Sequence, residues 1–211
     1  MLNRSISAVV AGLLLVAGNA AATLVDFSSS AFSGASGAES FTTTIEGVGV
    51  TVLEARPVGA ELTQTSDGLG VDSPNWNLLD DASQLGVPER IIVTFDNAQF
   101  IEEVYVAQLF RESGWLGTIN ETGWFSIDGG DQVEFHASGD ANGQLSIAVG
   151  AEATSITFGA KLAGGSHDYS LSGLNLRTIS AAVTAIPEPI STALLGIGGI
   201  VVGAAVRRRI I

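Results

Sequence analysis

Gly123-Trp124-Phe125-Ser126-Ile127-Asp128-Gly129-Gly130-Asp131-Gln132-Val133-Glu134-Phe135-His136-Ala137 is the stretch that decides the fold. Gln132–Ala137 alternates polar and apolar residues, which turns one side toward a core and the other toward water. Gly123–Ile127 is a second short run rich in aromatic residues. Between them stands Asp128-Gly129-Gly130-Asp131. Glycine reaches positive φ without a steric penalty, so this tetrapeptide closes a tight hairpin.

The same signal recurs outward from this hairpin. Strands are expected at Leu24–Phe27, Val48–Ala55, Ile91–Asp96, Glu103–Phe110, Gln144–Val149, Ser155–Ala160 and Tyr169–Leu176. Gly139-Asp140-Ala141-Asn142-Gly143 reads as a further turn. No segment of the middle reads at a helical period, and no repeat of fixed length is present. Many short strands at hairpin spacing predict an all-β domain, a β-sandwich of jelly-roll type, with a barrel as the alternative. One stretch, Arg56 to Glu89, breaks the rhythm with Pro57, Pro74, Pro88 and several glycines. It reads as a long loop, and loops of that length are usually functional or disordered.

The two ends of the chain differ from the middle. Residues 1–22 carry Arg4, an apolar run from Ala8 to Ala17 and the small residues Ala20, Ala21 and Ala22. That order of charge, apolar run and small residues predicts a signal peptide cleaved after Ala22. Near the other end Ile190–Val206 is seventeen residues without a charge, followed by Arg207, Arg208 and Arg209. As a helix it is about 25 Å long, at the short end of what crosses a bilayer. The arginines would stay cytoplasmic and leave the domain outside. The expected organisation is a signal peptide at 1–22, one β domain at 23–182 and a tail at 183–211 with a transmembrane helix at 190–206.

All 22 acidic residues of the chain except Glu188 fall between these ends, and the net charge is −13. So negative a domain repels phosphate backbones, which argues against nucleic acid as a partner. The chain has no cysteine. An exported domain without disulfides stands on its apolar core, and thiol chemistry is excluded.

Pro187-Glu188-Pro189, then the apolar span 190–206, then Arg207-Arg208-Arg209, resembles the PEP-CTERM sorting tail of bacterial exported proteins. The resemblance covers Ile186 to Arg209. It implies processing near the tripeptide by exosortase, a membrane-embedded cysteine protease of transpeptidase type. It also implies a precursor held transiently in the inner membrane of a Gram-negative bacterium, then delivery to the outer surface or an exopolysaccharide or biofilm matrix. Read from the residues alone, a plain single-span anchor stays open. More loosely, Gly68–Val71, Asp80-Asp81 and Glu89–Phe95 look like segments of the β-sandwich domains common in such proteins.

Candidate sites within the domain are few. His136 and His167 are the chain's two histidines. No nucleophile elbow or zinc-protease motif accompanies them, so no catalytic residue is assigned. Calcium wants six to eight oxygen ligands, and Asp67, Asp72, Asp80 and Asp81 in the 56–89 loop could supply some of them. Trp76 and Trp115 sit in loop-like sequence where an exposed ring could stack on a sugar, whereas Trp124 is expected in the core. The expectation is a non-catalytic surface or matrix protein that binds polysaccharide or other surface partners. The alternatives are a glycan hydrolase using carboxylates and a self-associating structural protein.

Overall fold

The hairpin around Asp128 is present. Its strands are β9 (Thr122–Ile127) and β10 (Val133–His136), paired with Gly123 opposite Phe135 and Phe125 opposite Val133. Asp128 adopts φ 47° at the turn and Gly129 φ 71°. The Asp128 carboxylate accepts hydrogen bonds from the backbone N–H and the hydroxyl of both Thr154 and Ser155. Partial desolvation works against the charged carboxylate, but those hydrogen bonds outweigh it and hold the carboxyl below its ordinary pKa.

The computed structural model describes residues 22–73, 84–114, 117–137, 139, 143–161 and 169–179. They belong to one compact unit that ends at Ile179. The remaining strands in chain order are β1 (Ala22–Asp26), β2 (Ser40–Ile45), β3 (Gly49–Arg56), β4 (Glu61–Thr65), β5 (Gly68–Asp72) and β6 (Arg90–Ala107). After β6 come β7 (Arg111–Gly114) and β8 (Gly117–Asn120), which form a small sheet of their own, and beyond the hairpin lie β11 (Leu145–Ala160) and β12 (Ser170–Thr178). The domain is all-β, and every paired strand is antiparallel. Among the described residues the only helical segment is a 3₁₀ turn at Ser30–Phe32, and no helix is long and apolar enough to cross a membrane. The expected signal-peptide residues 1–21 and the whole tail, 183–211, lie outside the described residues.

Two long strands organise the sheet. Arg90–Phe95 of β6 pairs with β3 on one side and with Ser155–Gly159 of β11 on the other. Further along, Gln99–Ala107 of β6 pairs with β12 and with Leu145–Ala153 of β11. The strands therefore run through two arms. One arm has the order β2-β3-β6-β11-β9-β10; the other has β11-β6-β12, with β1 and β5 both on the far side of β12. Leu53, Ile91, Val93, Ile156 and Phe158 from the first arm, and Val25, Ile101, Val104, Leu171 and Leu174 from the second, belong to one buried cluster. Each such side chain removed from water contributes about 1.5–3 kcal/mol.

Three expectations need correction. Ile91–Asp96 and Glu103–Phe110 are parts of the single strand β6, which ends at Ala107, and Gln144–Val149 and Ser155–Ala160 are parts of β11. The polar and glycine residues between them read as turns, but the register shifts there, between Ala148 and Ala151 and between Ala153 and Ser155, are bulges in continuous strands. Ser40–Ile45 is a strand although its threonine-rich sequence hides the alternation. The stretch 56–89 is not one long loop, because it contains the hairpin β4–β5. Gly68-Leu69-Gly70-Val71 is buried throughout, so β5 shows no alternation to read.

Candidate functional site

β1, β12, β6 and β11 lie side by side, and their register builds a row across them. Asp26 stands opposite Gly173, Gly173 opposite Tyr105, and Tyr105 opposite Ser146. Two residues along each strand the next row is Leu24, Asn175, Glu103 and Ala148. Residues directly opposite and two apart share a face of a sheet. The intervening Val25, Leu174 and Val104 point into the core, so these rows form the outer face.

Gly173 adds no side chain to this face. A Cβ there would stand 2.7 Å from the Val25 carbonyl oxygen, so the close passage of β1 demands glycine, and 3.7 Å from Cδ2 of Tyr105. Gly173 takes part in lining a cleft of about 610 Å³ together with Leu24, Asp26, Tyr105, Gln144, Ser146 and Ser172, among others. That volume falls within the range of ~300–1,000 Å³ typical of ligand pockets. Bulges bracket the cleft. Ser172 is skipped in the pairing of β12 with β6, and Glu102 is skipped on β6 opposite Asn175–Leu176. Bulges of this kind re-aim side chains and recur beside binding sites.

The groups around the cleft are held in place. The Tyr105 hydroxyl donates a hydrogen bond to Glu103 Oε2. That bond, with desolvation and the Glu103 charge, pushes the phenol above its ordinary pKa, against a smaller opposing effect of Asn175. Asp26 accepts on Oδ1 from the Ser28 N–H at 2.9 Å and the Ser28 hydroxyl at 2.6 Å. Leu24 is 63 % exposed, an apolar surface at the rim of an otherwise polar opening. In the neighbouring row Arg177 lies 4.6 Å above the Phe100 ring and 3.5 Å from Glu102. An aromatic ring, an exposed aliphatic side chain and a set of hydroxyl, amide and carboxylate groups around an open floor can hold a ring that has both C–H and O–H faces.

The sites expected from sequence fare differently. Asp67 lies in the turn of the β4–β5 hairpin and Asp72 at the far end of β5. Five residue steps along β5 separate them by about 16 Å, so they do not come together around one calcium ion. Their supposed partners Asp80 and Asp81 lie outside the described residues, as do Trp76, Trp115 and His167. Among the described residues no group of three or more His, Asp or Glu side chains is placed to hold a metal. His136 is exposed in β10, its Nδ1 2.9 Å from the Thr122 hydroxyl. Trp124 is buried, as expected; its Nε1–H donates to the Ala160 carbonyl at 3.2 Å. Sequence reasoning passed over Tyr105 and Gly173. Two signals pointed there: the polar side of the strand at Glu103 and Tyr105, and a glycine inside the alternating run Tyr169–Leu176, which marks a close approach of backbones.

No family model matches the chain, and no curated protein or solved structure matches it either, so the cleft stands on its own geometry.

Proposed function

We propose that this chain is an exported surface or matrix protein of a Gram-negative bacterium, sorted through a PEP-CTERM tail, whose β domain binds polysaccharide without acting on it chemically. In this reading the two arms of the sheet pack as a β-sandwich of jelly-roll type. A signal peptide at 1–22 starts export. The helix at 190–206 and Arg207–Arg209 hold the precursor in the inner membrane until exosortase processes it near Pro187-Glu188-Pro189. The domain's acidity supports partners other than nucleic acid.

The observation that carries the binding activity is the cleft over Gly173, with Tyr105 and Leu24 beside hydrogen-bonding side chains. The hydrolase alternative needs a pair of carboxylates flanking one bond, about 5–10 Å apart. Among the described residues lining the cleft, Asp26 is the sole carboxylate, while Glu103 is engaged by the Tyr105 hydroxyl. Binding to exopolysaccharide or matrix glycan is the reading this arrangement favours.

Two measurements test it. The full chain, kept in a detergent without a sugar head group, should bind at least one polysaccharide on a glycan array; silence on every glycan removes the binding activity. Deleting exosortase in the host should leave the uncleaved chain in the membrane fraction. Mature protein from normal cells that still carries Arg207–Arg209 would make the tail a plain anchor.

A further inference from the structure

We infer that the cleft over Gly173 takes a neutral sugar ring, and that Asp26 and Glu103 make it reject acidic sugars; this rests on the polysaccharide-binding reading above. The geometry supports a ring-sized ligand. Gly173 provides a floor with no side chain, Tyr105 stands on one side of it and Asp26 on the other, and Ser146 continues the row beyond Tyr105. Pyranose rings present C–H groups on one face, which pack on an aromatic or aliphatic surface such as Tyr105 and Leu24. Their equatorial hydroxyls both donate and accept, which suits the carboxylate of Asp26, the hydroxyls of Ser146 and Ser172 and the amide of Gln144.

Charge sets the class of sugar. Asp26 lines the cleft, and Glu103 lies in the adjacent row with its Oε2 fixed by the Tyr105 hydroxyl. Arg177, further along β12 than Asn175, is in contact with Glu102 and the Phe100 ring. Among the described residues nothing lining the cleft is cationic. A uronate or sulfated sugar would bring its negative charge beside Asp26 and near Glu103, whereas the hydroxyls of a neutral hexose gain charge-assisted hydrogen bonds to the Asp26 carboxylate.

The test uses the full chain in a detergent without a sugar head group and titrates it calorimetrically. The probes are hexasaccharides of glucose, galactose and mannose on one side, and of galacturonate and guluronate on the other, all in EDTA. At least one neutral hexasaccharide should bind saturably, and the uronates at least about tenfold more weakly at low salt. That discrimination should shrink as salt rises, since 1 M salt cuts the reach of exposed charges to about 3 Å. Tyr105→Ala should weaken the neutral ligand by about tenfold or more, the loss of one stacked ring. Ser146→Trp, a change at an exposed position that crowds the cleft, should do the same while Tyr105 is retained. Asp26→Asn with Glu103→Gln should let the uronates bind. Val58→Ala, on a side chain 82 % exposed and remote in sequence from the cleft strands, serves as the control.

The outcomes separate the two claims. If neutral sugars bind but neither Tyr105→Ala nor Ser146→Trp weakens them, the protein binds glycan elsewhere and the cleft is not the site. If uronates bind as tightly as neutral sugars, or tighter, the charge selection is overturned while glycan binding stands. If no hexasaccharide binds and the glycan array is silent, the reading beneath the inference falls with it.

Discussion

Two places on the sheet use one device and put it to opposite ends. In the first arm Trp124 stands directly opposite Gly159, and Gly159 opposite Arg90. In the second Tyr105 stands opposite Gly173, and Gly173 opposite Asp26. Each is an aromatic residue facing a glycine across antiparallel strands, an arrangement in which the ring can cover the bare backbone. At Gly159 it does so. A Cβ there would lie 2.4 Å from Cζ2 of Trp124, the indole is only 7 % exposed, and the Arg90 guanidinium lies 5.6 Å from the ring centroid. At Gly173 a Cβ would meet the Val25 carbonyl oxygen at 2.7 Å but Cδ2 of Tyr105 only at 3.7 Å, so the neighbouring strand and not the ring demands the glycine. The ring is bonded through its hydroxyl to Glu103, and a cleft lies beside the pair. The lesson is that an aromatic–glycine pair closes a surface where the ring is drawn over the glycine, and leaves room for a cleft where the ring keeps an ordinary contact distance.

The sharpest way to break this contrast is to remove each ring. Urea denaturation of the full chain should show Trp124→Ala losing about 3–5 kcal/mol, the usual cost of emptying a buried aromatic site. Tyr105→Ala should lose about 1 kcal/mol, because the ring is half-buried and its removal leaves a cleft already open to water. Equal losses would mean that both rings serve stability and that the contrast is false.

A smaller effect sharpens the closed side. Gly159→Ala should cost about 1–3 kcal/mol by forcing the indole off its glycine. The same change in a Trp124→Ala background should cost much less, since residues in contact couple by about 0.5–3 kcal/mol. Additive losses would show that the ring and the glycine do not depend on each other.

The smallest effect concerns the open side and reads out in pH. Tyr105 is held in its neutral form by the bond to Glu103, so its folded pKa lies above the unfolded value near 10. A raised pKa contributes stability that is fully present below the unfolded value and is lost as pH rises through the folded one. Tyr169, buried with its hydroxyl on the Gly159 carbonyl at 3.1 Å, is shifted upward as well by desolvation. Ultraviolet titration should therefore show no tyrosine ionising at the ordinary pH, and Glu103→Gln should bring one of the two back toward it. An unchanged titration in that variant would mean that Glu103 does not hold the ring.

The hairpin of β9 and β10 was legible because everything it needs is local: alternation on one strand and a glycine turn between the two. The long strands β6 and β11 were each read as two strands, because Asp96-Asn97 and Gly150 carry turn chemistry while the ladder on both sides continues through them. β5 was missed for the opposite reason. Its Gly68–Val71 run is covered on both sides, so the half-buried pattern that betrays a strand is absent. The cleft was hidden from a search that asked where tryptophans and carboxylates cluster along the chain. Its members come from residues 24–28, 105–106, 144–146 and 172–173, and only strand register makes them neighbours.

By itself the sequence determined the all-β class, the acidity of the domain and the chemistry of its two apolar ends, because periodicity, charge and turn residues act over a few positions. Only the tertiary structure decided that Asp67 and Asp72 stand apart and that Asp26, Tyr105 and Ser146 stand in one row. Antiparallel pairing brings together residues distant in the chain and holds nearby ones apart at about 3.3 Å per residue, so a site built across strands exists only once the register is set.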